Sequence, residues 1–201
     1  MIEDKAREDI AFIRRAIEEG GAYATARSPD MLVWGIAVAL GYVGTYAFVR
    51  GWLPLVPGAV WAICIGLPWL FSLRSLPRRL FGGGAGRPRR GAMAMALGML
   101  WLGCGIFLTT ISIAAHWTGA NREGWLNAVV AGVMGVAFFA SAWLTNLAWL
   151  RWIAIAWWLG ELAIFSMRHQ VEVLPLSAAL MLVLLAGPGL VLLRRGGRIG
   201  S

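Results

Sequence analysis

Between Met31 and Leu193 the chain is a succession of apolar runs separated by short polar breaks. The runs cover residues 31–49, 55–73, 92–115, 125–144, 152–167 and 174–193. Most approach the ~20 apolar residues that a helix needs to cross a hydrocarbon core of ~30 Å. They do not alternate residue by residue, as strands of a membrane barrel do. Nor do they keep the polar stripe of a helix that faces water on one side. The pattern predicts an all-α, polytopic membrane helix bundle with six transmembrane helices. The fifth run is the shortest, and Glu161 interrupts it.

Residues 1–30 follow a different rule. From Asp9 to Glu19, Ile10, Ile13 and Ile17 recur at i, i+3 and i+7, while Arg14, Arg15, Glu18 and Glu19 take the opposite face. This spacing predicts a short N-terminal cytoplasmic amphipathic helix, ended by Gly20-Gly21. Ser28-Pro29-Asp30 then reads as a fresh helix start, with Pro in the first turn where its missing N–H costs nothing. An isolated helix of this length is marginal in water. Its isoleucine stripe, with Arg14 and Arg15 beside it, is therefore the candidate surface for a partner or for the membrane. No apolar stretch leads to a small-residue cleavage site, so the first run itself is expected to direct insertion.

The longest break, residues 74–91, separates a first hairpin (31–73) from four further helices (92–193). It holds Arg74, Arg78, Arg79, Arg87, Arg89 and Arg90 and no acid. Its Gly82-Gly83-Gly84-Ala85-Gly86 centre reads as a tether: no GK[ST] follows the glycines and no strand precedes them, so it is not a phosphate loop. Residues 194–201 form a basic tail. Pro68 predicts a kink in the second run, tolerable in a membrane helix when neighbours satisfy the freed carbonyl.

Charge now sets the orientation. With the N-terminus inside, Lys5, Arg7, Arg14, Arg15, Arg27, the six loop arginines, Arg151, Arg194, Arg195 and Arg198 are cytoplasmic, leaving Arg50, Arg122 and Arg168 on the other side. Cytoplasmic loops carry the excess of Lys and Arg, so this distribution predicts both termini inside. The net charge of +8 therefore reports topology and contact with anionic headgroups, for which Arg78, Arg79, Arg87, Arg89 and Arg90 are the candidates. Nucleic-acid binding is not expected, because no basic domain is left once the spans are removed. Twelve Trp fit a bilayer protein whose indoles sit at the headgroup level.

Candidate chemistry is sparse. Glu161 is the one acid inside a run, and an intramembrane carboxylate is a functional-site hypothesis by default: a proton relay, a cation site or a partner to an Arg. His116 and His169 end the third and fifth runs on the same predicted side, where two imidazoles could hold a metal or the axial positions of a haem. Histidines at span ends are more often plain interfacial residues, and no cofactor is expected. Cys64 and Cys104 both fall within runs, without metal-ligand spacing, and read as small buried apolar residues. Gly98, Gly103 and Gly105, with Gly132, Gly135, Ala137 and Ser141, predict faces where runs three and four approach closely. Hydrolase, zinc-protease, Walker and Rossmann motifs are absent, so an enzyme is not expected.

Two further patterns matter. Runs one, three and five start about 60 residues apart, and each has an early aromatic-glycine element: Trp34-Gly35, Trp101-Leu102-Gly103 and Trp157-Trp158-Leu159-Gly160. The stretch Asp9–Gly20 followed by Trp34-Gly35 resembles the opening of small uncharacterised bacterial inner-membrane proteins. That resemblance implies a multi-pass protein of the bacterial cytoplasmic membrane and carries over no functional residue. The leading expectation is an integral membrane protein acting through lipid, a cytoplasmic partner or a second copy, as an anchor, sensor or accessory subunit. A small transporter or channel subunit using Glu161, and a haem- or quinone-linked redox protein, are the alternatives.

Overall fold

A computed structural model describes the backbone of residues 2–73, 92–120 and 124–197, all helices and short turns, with no strand among them. The basic loop with Arg78, Arg79, Arg87, Arg89 and Arg90 lies outside the described residues, as do the side chains of Ile13, Arg14, Arg15 and Ile17. The helices are α1 (Ile2–Val49), α2 (Pro57–Leu73), α3 (Ala92–Trp117), α4 (Trp125–Thr145), α5 (Trp149–Ser166) and α6. The last is one rod in three parts: Val173–Met181, a π-helical turn Leu182–Ala186, and Gly187–Gly197.

Four segments are long and apolar enough to cross a membrane: Ser28–Val49, Met93–Trp117, Trp125–Thr145 and Val173–Arg194. α2 is apolar but has 17 residues. α5 has 18 residues, and Arg151, Glu161 and four tryptophans dilute its hydropathy. Around the outside, Ile63, Leu67, Leu70, Met99, Leu159 and Leu162 are each more than half exposed. An apolar surface this extensive would associate in water and is stable in lipid.

Contacts across successive helices fix their directions. Gly41 and Gly44 of α1 face Trp61 and Val60 of α2, while Trp34 reaches Ser72 at the other end. Gly58 of α2 lies by His116 of α3, and Trp69 by Gly105. Trp101 of α3 meets Phe138 and Ser141 of α4. Gly132 and Gly135 of α4 face Glu161 and Trp158 of α5, and Gly160 of α5 faces Leu180 of α6. Each pair is antiparallel. α6 then closes against α1, with Gly35 on Ala186 and Gly189 on Ser28, Met31 and Leu32. Both chain ends thus emerge on one face, called here the arm face; the opposite one is the turn face. There Arg50 pairs with Glu172 at 3.0 Å, tying the first turn to the last. Both side chains are largely exposed, and such pairs are worth about 0–1 kcal/mol.

Two expectations need correction. The short amphipathic helix does not end at Gly20-Gly21, and no new helix begins at Ser28-Pro29: α1 runs unbroken for 48 residues. Two glycines cost roughly 1 kcal/mol each in a helix but do not stop it. At Pro29 tertiary packing takes over, because Ser28 is fully buried and Gly189 seats α6 against the Ser28 carbonyl and the Leu32 amide. At a rise of 1.5 Å per residue, the part before Ser28 forms an arm roughly 40 Å long. Ile10 on it is exposed. The second correction concerns α3. Gly103 faces open space, and a Cβ at Gly105 would make only an ordinary contact with Trp69. α3 is peripheral, so Gly103 and Gly105 do not mediate close packing, whereas Gly132, Gly135, Ala137 and Ser141 of α4 do lie at helix contacts.

Candidate functional site: an aromatic crevice

The tryptophans divide by position. Trp52, Trp117 and Trp152, at or near helix ends, are exposed, as the headgroup reading requires. Trp34, Trp61, Trp69, Trp101, Trp157 and Trp158 instead stand among the helices, where an indole N–H needs a partner. Trp34 Nε1 donates to Ser72 Oγ at 3.2 Å, Trp69 Nε1 to Thr109 Oγ1 at 3.2 Å, and Trp101 Nε1 to Ser141 Oγ at 3.1 Å. These bonds link α1 to α2, α2 to α3 and α3 to α4 in series. Trp157 Nε1 donates to the Leu184 carbonyl at 3.3 Å and links α5 to α6. The aromatic residues that recur early in runs one, three and five thus play the same part, each fastening its helix to the next one.

Because α2 and α3 meet mainly through Trp69, a crevice of about 870 Å³ opens between them, with α4 and α6 as its floor. A stripe at helical spacing on α1 (Met31, Trp34, Val38, Tyr42, Thr45) forms one wall. Trp61, Ile65 and Trp69 of α2 face Trp101, Leu108 and Ser112 of α3. Edge-on contacts order the aromatic wall: Trp34 on Trp69 with centroids 5.7 Å apart, and Tyr42 on Trp61 at 5.1 Å. The volume lies in the ~300–1,000 Å³ range of small-molecule sites. Its lining, mainly apolar with a few polar groups, has their usual character too.

Hydrogen bonding along the crevice is uneven. In its arm-face half, Ser72 and Thr109 accept from indoles, and Asp30 has a partner of its own. Ser112 donates to the Leu108 carbonyl at 2.6 Å, and Thr45 to the Gly41 carbonyl at 2.8 Å. Toward the turn face, Tyr42 is 3% exposed, yet its hydroxyl has no hydrogen-bond partner among the described residues. The side chains of Asn127 and His116, nearer the rim, also line the crevice without one.

Of the candidate chemical residues Glu161, His116 and His169, only His116 borders this site. His169 is exposed in the α5–α6 turn and is not part of the lining, so the crevice does not unite the two imidazoles. Glu161 is outside it as well. Its half-buried carboxylate rests on the α4 backbone at Gly132, where an added Cβ would lie 2.9 Å from Oε1. No residue of α5 lines the crevice. Cys64 and Cys104 are free thiols, and Cys104 contributes to the lining. Among the described residues no cluster of His, Cys, Asp and Glu could hold a metal ion. Of the residues that build the site, Tyr42, Trp61 and Trp69 went unmarked in sequence, and Trp34 stood out only as part of the aromatic-glycine element. The available signal was the stripe at 31, 34, 38, 42 and 45 in the first run. Comparison with protein-family models, curated proteins and solved structures gives no match.

Proposed function

We propose that this is a non-enzymatic sensor or accessory protein of the bacterial cytoplasmic membrane, which holds a membrane-soluble molecule in the crevice and relays its presence along α1. One observation carries the reading. The helix that supplies the Met31–Thr45 wall of the crevice continues without a break to Ile2, so wall and arm are a single rod. A shift of that wall on ligand binding is delivered to the arm, where a cytoplasmic partner, a second copy or anionic lipid would read it. In this reading all six helices cross the bilayer, α2 and α5 as its shortest spans, and the excess of arginine holds the arm, the basic loop and the tail in the cytoplasm.

Two measurements test this. With Cys64 and Cys104 replaced by Ala, single cysteines at Arg7 and Arg194 should resist a membrane-impermeant maleimide on intact cells, whereas one at Trp52 should react. Labelling of all three from outside would reject the orientation. For the relay, spin labels at Arg7 and Arg194 in nanodiscs report the distance from the arm to the end of α6. Gly66→Phe should shift that distribution, because Gly66 lines the crevice and an added Cβ meets nothing within 4 Å, so the ring enters the crevice without straining the helix. Superimposable distributions for the two proteins would sink the relay.

A further inference from the structure

We infer that the molecule in the crevice is an uncharged amphiphile with a single apolar body and a carbonyl or hydroxyl oxygen, bound with that oxygen at Tyr42. This rests on the crevice being a ligand site, as proposed above.

Three observations converge on it. The first is the hydroxyl itself. A phenol on a residue 3% exposed, at the crevice wall and with no hydrogen bond to the described residues, offers its O–H to whatever fills the crevice, and a bond made there is worth about 0.5–1.5 kcal/mol. Since the polar groups of the arm-face half are already engaged, the free hydrogen-bonding capacity among the described residues lies at Tyr42, at the Trp61 indole packed on it, and toward the rim at Asn127 and His116. The ligand's polar end therefore points to the turn face. The second is charge. No Lys or Arg belongs to the described lining, and Asp30 is its one acid. A phosphate or carboxylate at Tyr42 would be buried with no cation to compensate it, whereas a neutral oxygen needs only the phenol. The third is the wall below Tyr42. Trp61, Trp69 and Trp34 descend from it toward the arm face, and three of the indoles lining the crevice, Trp34, Trp69 and Trp101, spend their N–H groups on other helices. They therefore present apolar faces and edges suited to an isoprenoid or alkyl body. Quinones and long-chain alcohols share this chemistry.

Binding to the purified full-length protein in detergent is followed by native mass spectrometry with four probes: decylubiquinone, farnesol, hexadecane and tetradecyl phosphate. Decylubiquinone, farnesol or both should bind at least tenfold more tightly than the hydrocarbon and the phosphate, and whichever of the two is retained names the source. Tyr42→Phe should weaken the oxygenated probe about 3- to 10-fold, the worth of one hydrogen bond, and leave hexadecane unchanged. Gly66→Phe should abolish binding of every probe, and Glu161→Gln should change none. If Gly66→Phe blocks binding but tetradecyl phosphate binds as tightly as the neutral probes, or Tyr42→Phe has no effect, the ligand class is wrong and the site survives. If no probe responds to Gly66→Phe, the crevice is not the site and both proposals fall. Should Tyr42→Phe not fold, the order of the four probes on the unmodified protein still decides the question of charge.

Discussion

Gly35→Ala is expected to destabilise the bundle by about 1–3 kcal/mol, the range for overpacking a well-filled contact. Gly35 is buried where α1 crosses α6, and a Cβ there would lie 2.7 Å from the Ala186 amide nitrogen and 3.0 Å from its Cα. Backbone atoms cannot rotate aside, so the helices must separate. The intrinsic helix preference for Ala over Gly, about 1 kcal/mol, offsets only part of that. Two other glycines serve as controls with different obstacles. At Gly132 the added carbon meets the Glu161 carboxylate at 2.9–3.1 Å, the far end of a flexible side chain that can swing away. At Gly66 it meets nothing within 4 Å. Unfolding by SDS titration in mixed micelles, followed by tryptophan fluorescence, should therefore rank Gly35→Ala well below Gly132→Ala, with Gly66→Ala at or above the parent. Equal effects at the three positions would mean that the α1–α6 crossing is not close-packed.

That crossing also explains what was and was not legible in the sequence. The helices of the apolar runs begin and end within about four residues of the expected bounds, except where α1 extends far toward the N-terminus and α6 runs on to Gly197. Hydrophobic length is a local property, readable one run at a time. The continuity of α1 is not local. Gly20-Gly21 and Ser28-Pro29-Asp30 both carry stop or start signals; the glycines only weaken the helix, and the second signal is overridden by Gly189, more than 150 residues away, which brings α6 onto the backbone at Ser28. The crevice was hidden for the same reason. Its walls come from five helices, and Tyr42 acquires meaning only because Trp61, on another helix, packs against its ring and the remaining lining offers its hydroxyl nothing. Glu161 drew attention as an acid in an apolar run. What the run could not show is that Gly132 on α4 makes room for its carboxylate on the side away from the crevice.

Trp157→Phe is expected to show the other large effect, through a proline whose consequences also cross between helices. Pro188 has no N–H, so the Leu184 carbonyl four residues earlier loses its α-helical donor. The chain responds with the π-helical turn Leu182–Ala186, where the Gly187 amide reaches back five residues to the Leu182 carbonyl. Trp157, 1% exposed, supplies the donor that Leu184 lacks. In an apolar interior no water can take its place, and an unsatisfied carbonyl is costly. Losing the indole N–H should therefore cost about 1–3 kcal/mol, with a further penalty for the volume removed. A double-mutant cycle separates the two. Pro188→Ala restores an amide that can reach Leu184, so in that background Trp157→Phe should cost only its volume term. The coupling energy between the two positions should then be about 1–3 kcal/mol by the same SDS titration, against the several tenths that unconnected sites show. A coupling below about 0.5 kcal/mol would mean that Trp157 only fills space. The bond between α5 and α6 would then have to be struck from the series of indole contacts that fasten each helix to the next.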